Sequence, residues 1–371
     1  MTQGQRFASL DVFRGATIFL MILVNTAGPG ARAYEPLIHA RWIGFTLADL
    51  VFPSFLFAMG NAMSFALRKP LPAGAYLARL GRRGAIIFAL GFLMYWFPFV
   101  RHGAAGWEMI PFDQTRVPGV LQRLALCYML AGVVVRWLDW RAVLGVCAGL
   151  LLAYWAILLQ FGLPGDLYGK AGNAGTRLDL WLLSPGHLYK KDAGFDPEGL
   201  LGTLPAVVNV LAGYLAGLLV QRAADLRSAL RVMAVAGLGC IAAAHLWEPV
   251  FPIAKKLWTS PFVLLTSGLD LLLLTWVIWM IELRRKDGAT RFFTILGRNP
   301  LAIYLFSELF VVLLNMVPLG GESGIYDWLG IHLFQAVAPG SLGSLLCALA
   351  YTLLCWAVGW WMDRKGLILK A

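Results

Sequence analysis

Apolar stretches of roughly 18 to 27 residues recur along this 371-residue chain, separated by short basic or Gly/Pro-rich links. A helix rises 1.5 Å per residue, so each stretch is long enough to cross about 30 Å of hydrocarbon. Ten spans are expected, near 10–27, 46–67, 82–100, 117–138, 142–161, 200–220, 229–247, 259–283, 292–316 and 341–362. The implied fold class is all-α, a polytopic integral membrane protein with about ten transmembrane helices. Charged residues make up only 14% of the chain, against the roughly 25% of soluble domains. A soluble enzyme, a collagen-like rod and a disordered chain are thereby excluded. The first stretch contains Asp11, Arg14 and Asn25 and is followed by no small-residue cleavage site, so it reads as a retained helix.

The formal net charge of +11 does not imply a nucleic-acid partner here, because inner-leaflet links of membrane proteins are basic. The N-terminus, the C-terminal tail and the links at 68–83, 136–141, 222–231 and 284–298 hold 19 Lys and Arg; the opposite links hold 10. Charge counts less in the long link 162–199, and leaving it out lowers the second figure to 6. Both termini are therefore expected in the cytoplasm. The opposite links, 28–45, 101–116, 162–199, 248–258 and 317–340, are rich in Gly, Pro and Trp, a composition suited to loops packed over a cavity. No linker divides the chain, so residues 1–371 read as one transmembrane domain, with room for a short extracytoplasmic helix in 162–199. Five cysteines lie inside apolar stretches without a CxxC pair and read as packing residues, giving neither disulfide nor metal site.

Polar groups within the spans carry the functional signal, since a charge at the bilayer centre costs about 2.5 to 3.5 kcal/mol on insertion scales. Asp11, Arg14 and Asn25 fall within an arc of roughly 60° on one helix face and climb about 21 Å along it. Such a stripe suits an elongated polar ligand; the plainer alternative is an Asp11–Arg14 pair plus a helix–helix hydrogen bond from Asn25. His39 follows in the run "IHARWIGFTLADLVFPSFLFAMG", with Arg41, Trp42, Thr46 and Asp49 at the entry to the second span.

"SLDVFRGATIFLMILVNTAGPG", "HARWIGFTLADLVFPSFLFAMG", "RVPGVLQRLALCY", "FDPEGLLGTLPAVVNVLAGYLAG", "FPIAKKLWTSPFVLLTSG" and "LGRNPLAIYLFSELF" occur in this order over nearly the whole chain. Together they resemble the membrane core of the heparan-α-glucosaminide N-acetyltransferase family, including its bacterial NagX-type members. The resemblance implies a multi-pass enzyme of the bacterial inner membrane. It would take acetyl from cytoplasmic acetyl-CoA and place it on an amino sugar of glucosamine type on the far side. It also implies that His39 is the active histidine, that Asn25 is the active-site asparagine and that the protein is a homodimer. The large luminal domain of the lysosomal enzymes is not seen here, so a small sugar is expected rather than a polymer.

Acetyl transfer from a thioester to an amine needs a proton acceptor and a donor for the developing oxyanion. His39 supplies the first, and Asn25 orients the amine or donates to the thioester oxygen. Direct transfer is favoured over an acetyl-imidazole intermediate because no second base is evident beside His39 in sequence. Asp49, Gln122, Arg123, Asp196, Glu198, Lys256 and Trp258 are candidate substrate-binding residues. For Arg123 a bridge to a core carboxylate such as Asp49 is the alternative; for Asp196 and Glu198 it is capping of the following helix, and for the Lys255–Lys256 pair it is snorkelling to the rim. Asp11, Arg14, Arg298, Asn299 and Glu308 are candidate cofactor-binding residues, with the "GRNP" helix start and Arg79, Arg82 and Arg83 offering positive charge to CoA phosphates. Glu308 needs a partner at its depth, and Arg123 is one candidate. His102, His187, His245 and His332 lack metal-ligand spacing and read as structural. Two other functions remain open: a permease for amino-sugar uptake, which would move unmodified glucosamine, and an assembly protein, which would tolerate His39→Ala. In "LAGYLAG", Gly213 and Gly217 at GxxxG spacing allow close helix contact, so Gly213→Leu is expected to weaken either dimerisation or internal packing.

Overall fold

The computed structural model describes residues 7–67, 71–103, 106–192, 194–285, 288, 290–319 and 324–369, without the side chains of His102 and Lys191. Helices dominate. In chain order they are α1 (Ala8–Asn25), α2 (Leu47–Ala66), α3 (Ala73–Trp96), α4 (Val120–Trp137), α5 (Trp140–Phe161), α6 (Ala174–Leu183), α7 (Thr203–Arg222), α8 (Leu226–Trp247), α9 (Ser260–Ile278), α10 (Thr290–Arg298) and α11 (Pro300–Met316). Two short helices, α12 (Ile325–Trp328) and α13 (Gln335–Val337), precede α14 (Ser341–Arg364). The strands form one antiparallel hairpin, β1 (Val100–Gly103) with β2 (Gly106–Met109).

Among the described residues eight helices are long and apolar enough to cross a bilayer, or nine if the bent pair α10 and α11 counts as one span. Ten were expected, and the difference lies in α3. It is as long as the others, but Arg79, Arg82 and Arg83 lie inside it rather than in a preceding link. All three are exposed, and the Arg83 guanidinium covers the Tyr128 ring of α4 at 5.2 Å. The span expected at 292–316 is broken. Pro300 cannot donate to the preceding turn, and the chain bends by 81° between α10 and α11. The link 162–199 holds α6, capped by the Asn173 side chain, which accepts from Thr176 N.

The chain forms two compact units. One comprises Met1–His39, Thr46–Val51 and Val277–Lys370; the other comprises Ala40–Phe45 and Phe52–Trp276. In the first, α1 and α10 meet at their backbones, because a Cβ on Gly15 would lie 1.8 Å from the Phe293 carbonyl oxygen and one on Gly297 would lie 2.1 Å from that of Asp11. The start of α1 is tied to the π-helical extension of α9 through Ser9, whose N–H and Oγ both donate to Glu282 Oε1 (3.2 and 2.9 Å). In the second unit, α3 packs on α4, and α7 packs on α4, α5 and α8. Only 28% of the apolar windows of α5 and α8 is buried, which leaves Leu144, Leu152, Val235 and Leu238 facing outward, as lipid-facing helices require.

Candidate active site

In the first unit, α2 opens at Leu47 with Asp49 in its first turn, where the positive end of the helix dipole favours a carboxylate. Asp49 is fully buried, and its Oδ2 accepts from Thr46 N (3.0 Å) and Thr46 Oγ1 (3.1 Å). Its Oδ1 lies 2.9 Å from His39 Nδ1. With a carboxylate as acceptor, Nδ1 carries the ring proton and the lone pair sits on Nε2. The His39 side chain is 40% exposed while that of Asp49 is 0% exposed, so a reachable imidazole is held from behind by a buried acid. Asp49, grouped from sequence with the substrate-binding residues, thus orients His39. The same bond corrects the expectation that His39 has no neighbouring base, because the loop brings Asp49 back across ten residues.

Asn25 is the last residue of α1 and is exposed; its Nδ2 donates to Glu308 Oε1 (3.0 Å). That bond moves Glu308 away from the expected cofactor group, because Asn25 lies about 21 Å along α1 from Asp11. Asn25 is also the partner that Glu308 needs at its depth, while Arg123, one candidate for that role, donates to Gly199 O. The remaining cofactor candidates are already engaged. Arg14 pairs with Asp11 and Arg298 pairs with Asp363. Asn299 is 1% exposed; its Nδ2 donates to Leu367 O (2.8 Å) and its Oδ1 accepts from Leu369 N (2.9 Å), so it pins the C-terminal tail.

The second unit gathers most of the substrate-binding candidates. A small pocket of about 20 Å³ is lined in part by Arg123, Tyr154, Asp179, Asp196 and Lys256. That volume holds about one water, so the polar network is closed on itself. Arg123 is 2% exposed; Nη2 donates to Gly199 O (2.8 Å) and the guanidinium lies 5.0 Å from the Trp258 ring centroid. Its Nε and Nη1 are buried without a hydrogen-bond partner among the described residues. Trp258 is buried and donates from Nε1 to Asn209 Oδ1 (3.1 Å), so it forms the floor under Arg123. Gln122 is wedged against Gly91 and Gly119 at the α3–α4 contact, outside the pocket lining.

Asp196 and Glu198 do not cap α7, whose N-cap is Gly202 with no side-chain bond. Both bind Arg116, whose Nε donates to Asp196 Oδ2 (2.9 Å) and whose plane lies between the rings of Tyr95 (5.0 Å) and Tyr189 (4.6 Å). Burial raises the Glu198 pKa, but Arg116, Arg123 and Lys255 outweigh it and hold this carboxyl below the usual range. Lys256 and Lys170 both bridge to Asp192, which burial opposes yet the two ammonium groups keep ionised. Burial pushes Asp179 up to about 6, although it accepts from Leu200 N (2.9 Å). Arg116, Lys170, Asp179 and Asp192 were not singled out from sequence. Trp42 of the His39 motif packs on Phe195 (4.8 Å) and donates to Tyr168 O (2.8 Å). His187, His245 and His332 bond to Thr115 O, Glu248 and Trp328 O; the His102 side chain lies outside the described residues. Arg116→Leu is expected to destabilise the protein by about 3–5 kcal/mol, because it removes the guanidinium that pairs both Asp196 and Glu198 and leaves Asp196 with backbone donors alone. Thermal unfolding in detergent measures this loss, and an unchanged Tm would contradict it.

The apolar helices define an integral membrane protein, and on one of its loops an exposed imidazole is backed by a buried carboxylate. The chain belongs to the family described as "Heparan-alpha-glucosaminide N-acetyltransferase, catalytic", which matches residues 6–246. It is 28% identical to the heparan-alpha-glucosaminide N-acetyltransferase of Homo sapiens over a 404-residue alignment covering 93% of this chain and 59% of that protein. The Mus musculus protein of the same name is 27% identical, with 94% and 60% covered. The chain spans about three-fifths of the length of these curated relatives.

Proposed function

We propose that the chain is a transmembrane N-acetyltransferase, working as one domain, that moves acetyl from cytoplasmic acetyl-CoA to the amine of a glucosamine-type sugar on the other side of a bacterial inner membrane. The observation that carries the reading is the His39–Asp49–Thr46 relay in a chain of this family. His39 Nε2 takes the proton from the sugar amine as its nitrogen attacks the thioester carbonyl. The second N–H of Asn25, beyond the one given to Glu308, is available to the oxyanion. Collapse of the tetrahedral intermediate releases the CoA thiolate, which the imidazolium reprotonates. Arg123, Asp196, Glu198, Lys256 and Trp258 are proposed to bind the sugar once the small pocket opens, with Gln122 behind them. Arg14, Arg298 and Asn299 are proposed to face the CoA phosphates, Asp11 holding Arg14 in place. A homodimer, cytoplasmic termini and a lipid-facing outer surface belong to the same reading.

Purified protein given labelled acetyl-CoA and glucosamine is expected to form N-acetylglucosamine. Without sugar, rapid denaturation and mass measurement should find no acetyl group on the protein. An adduct on His39 that discharges to glucosamine at the turnover rate would replace direct transfer by a two-step route. Proteoliposomes that carry unmodified glucosamine across without acetyl-CoA would establish the permease instead.

A further inference from the structure

A cavity of about 340 Å³ opens where α2, α4 and α7 end and α3 begins. Its wall includes Ser64, Tyr76, Arg136, Tyr214, Gln221 and Arg222, and none of the described residues that line it is a carboxylate. The volume falls within the roughly 300–1,000 Å³ of small-ligand sites. Arg136 and Arg222 occupy the last turns of α4 and α7, where each offsets a helix end of about −0.5 charge. Each arginine therefore leaves net positive charge at the cavity. Arg136 spends Nη2 on Leu71 O (3.1 Å) and is steadied over the Tyr76 and Trp137 rings at 5.5 and 5.9 Å. The Arg222 guanidinium and the Tyr214 hydroxyl have no hydrogen-bond or ion-pair partner among the described residues. Tyr214, Leu218 and Arg222 repeat every four residues, so one face of α7 presents them together. By contrast, Arg14 and Arg298 each have a carboxylate partner.

From this geometry we propose that the cavity binds a phosphate group, with Arg136 and Arg222 as its two charge-assisted donors and Tyr214 as a neutral one. Two guanidinium groups with no acid among the described lining residues match a phosphate ester better than a carbohydrate. The phosphate can belong to an anionic lipid headgroup or to a nucleotide, and the site does not depend on acetyl transfer. Full-length protein in phosphatidylcholine nanodiscs is titrated separately with dioctanoyl phosphatidylglycerol and with adenosine 3′,5′-bisphosphate. One of the two should bind saturably, and which one does identifies the source. The double variant Arg136→Gln/Arg222→Gln, at exposed positions, should weaken that binding at least tenfold. Leu218→Trp, which fills the cavity and keeps both charges, should weaken it as well. Absence of saturable binding for both probes, or equal binding by the double variant, overturns the site. Unchanged affinity in Leu218→Trp also overturns it, by showing diffuse surface charge in place of a cavity.

Discussion

His39→Ala is expected to lower N-acetylation about 10²- to 10⁴-fold, the range for loss of a positioned general base, while the protein stays folded, since the lost contact to Asp49 costs about 1–3 kcal/mol. The side chain is 40% exposed and its one described carboxylate partner is held independently by Thr46, so its removal leaves no packing void. Asp49→Asn should approach the same loss by a different path. Thr46 presents two donors to the side-chain oxygen that replaces Oδ2, so an asparagine turns its Oδ1 toward Thr46 and its Nδ2 toward His39. An N–H facing Nδ1 drives the ring proton to Nε2, and the lone pair then points at the introduced amide instead of at substrate. Rates of labelled product formation separate the two variants: Asp49→Asn should keep a small residual activity, whereas His39→Ala should stay near background. Full activity in His39→Ala would remove the proposed chemistry altogether.

Hydropathy made the membrane helices readable, because each sums many apolar side chains over a length fixed by the bilayer. α2, α4 and α5 begin and end within a few residues of the expected spans. Hydropathy sums are blind to axis direction and join 292–316 into one span, whereas the "GRNP" helix start marks the place of the 81° bend between α10 and α11. Such sums also discount arginine, and α3 was started too late because Arg79, Arg82 and Arg83 lie inside it. Polar partners were legible where they lay close in sequence, as with Asp11 and Arg14. Arg116 was invisible because its partners, Asp196 and Glu198, stand some 80 residues away, and an isolated arginine in an outer link resembles ordinary surface charge. Glu308 had a need for a partner written in its depth, but only the fold supplies Asn25, 283 residues distant.

The spacing of Gly213 and Gly217 in α7 leaves dimerisation and internal packing both open, and the fold uses the pair in a contact within one chain. A Cβ on Gly213 would lie 1.9 Å from the Phe57 carbonyl oxygen of α2, and one on Gly60 of α2 would lie 1.8 Å from the Val210 carbonyl oxygen of α7. A Cβ on Gly217 would meet Ser64 Oγ at 2.3 Å. The first two obstacles are backbone atoms of helices, which have no rotamer by which to yield. Overpacking a core commonly costs about 1–3 kcal/mol when neighbours can adjust; here two helix axes must separate, losing dispersion contacts along their length. Gly213→Leu is therefore expected to remove most folded protein, seen as aggregation in size-exclusion chromatography and loss of the cooperative melt. Gly149→Leu in α5 and Gly239→Leu in α8 are the matched controls, since a Cβ at either meets nothing within 4 Å, and both should melt as wild type. A Gly213→Leu protein that stays folded with an unchanged Tm but runs as a monomer, against a dimeric wild type, would show that the glycine face joins two chains and would overturn the intrachain contact.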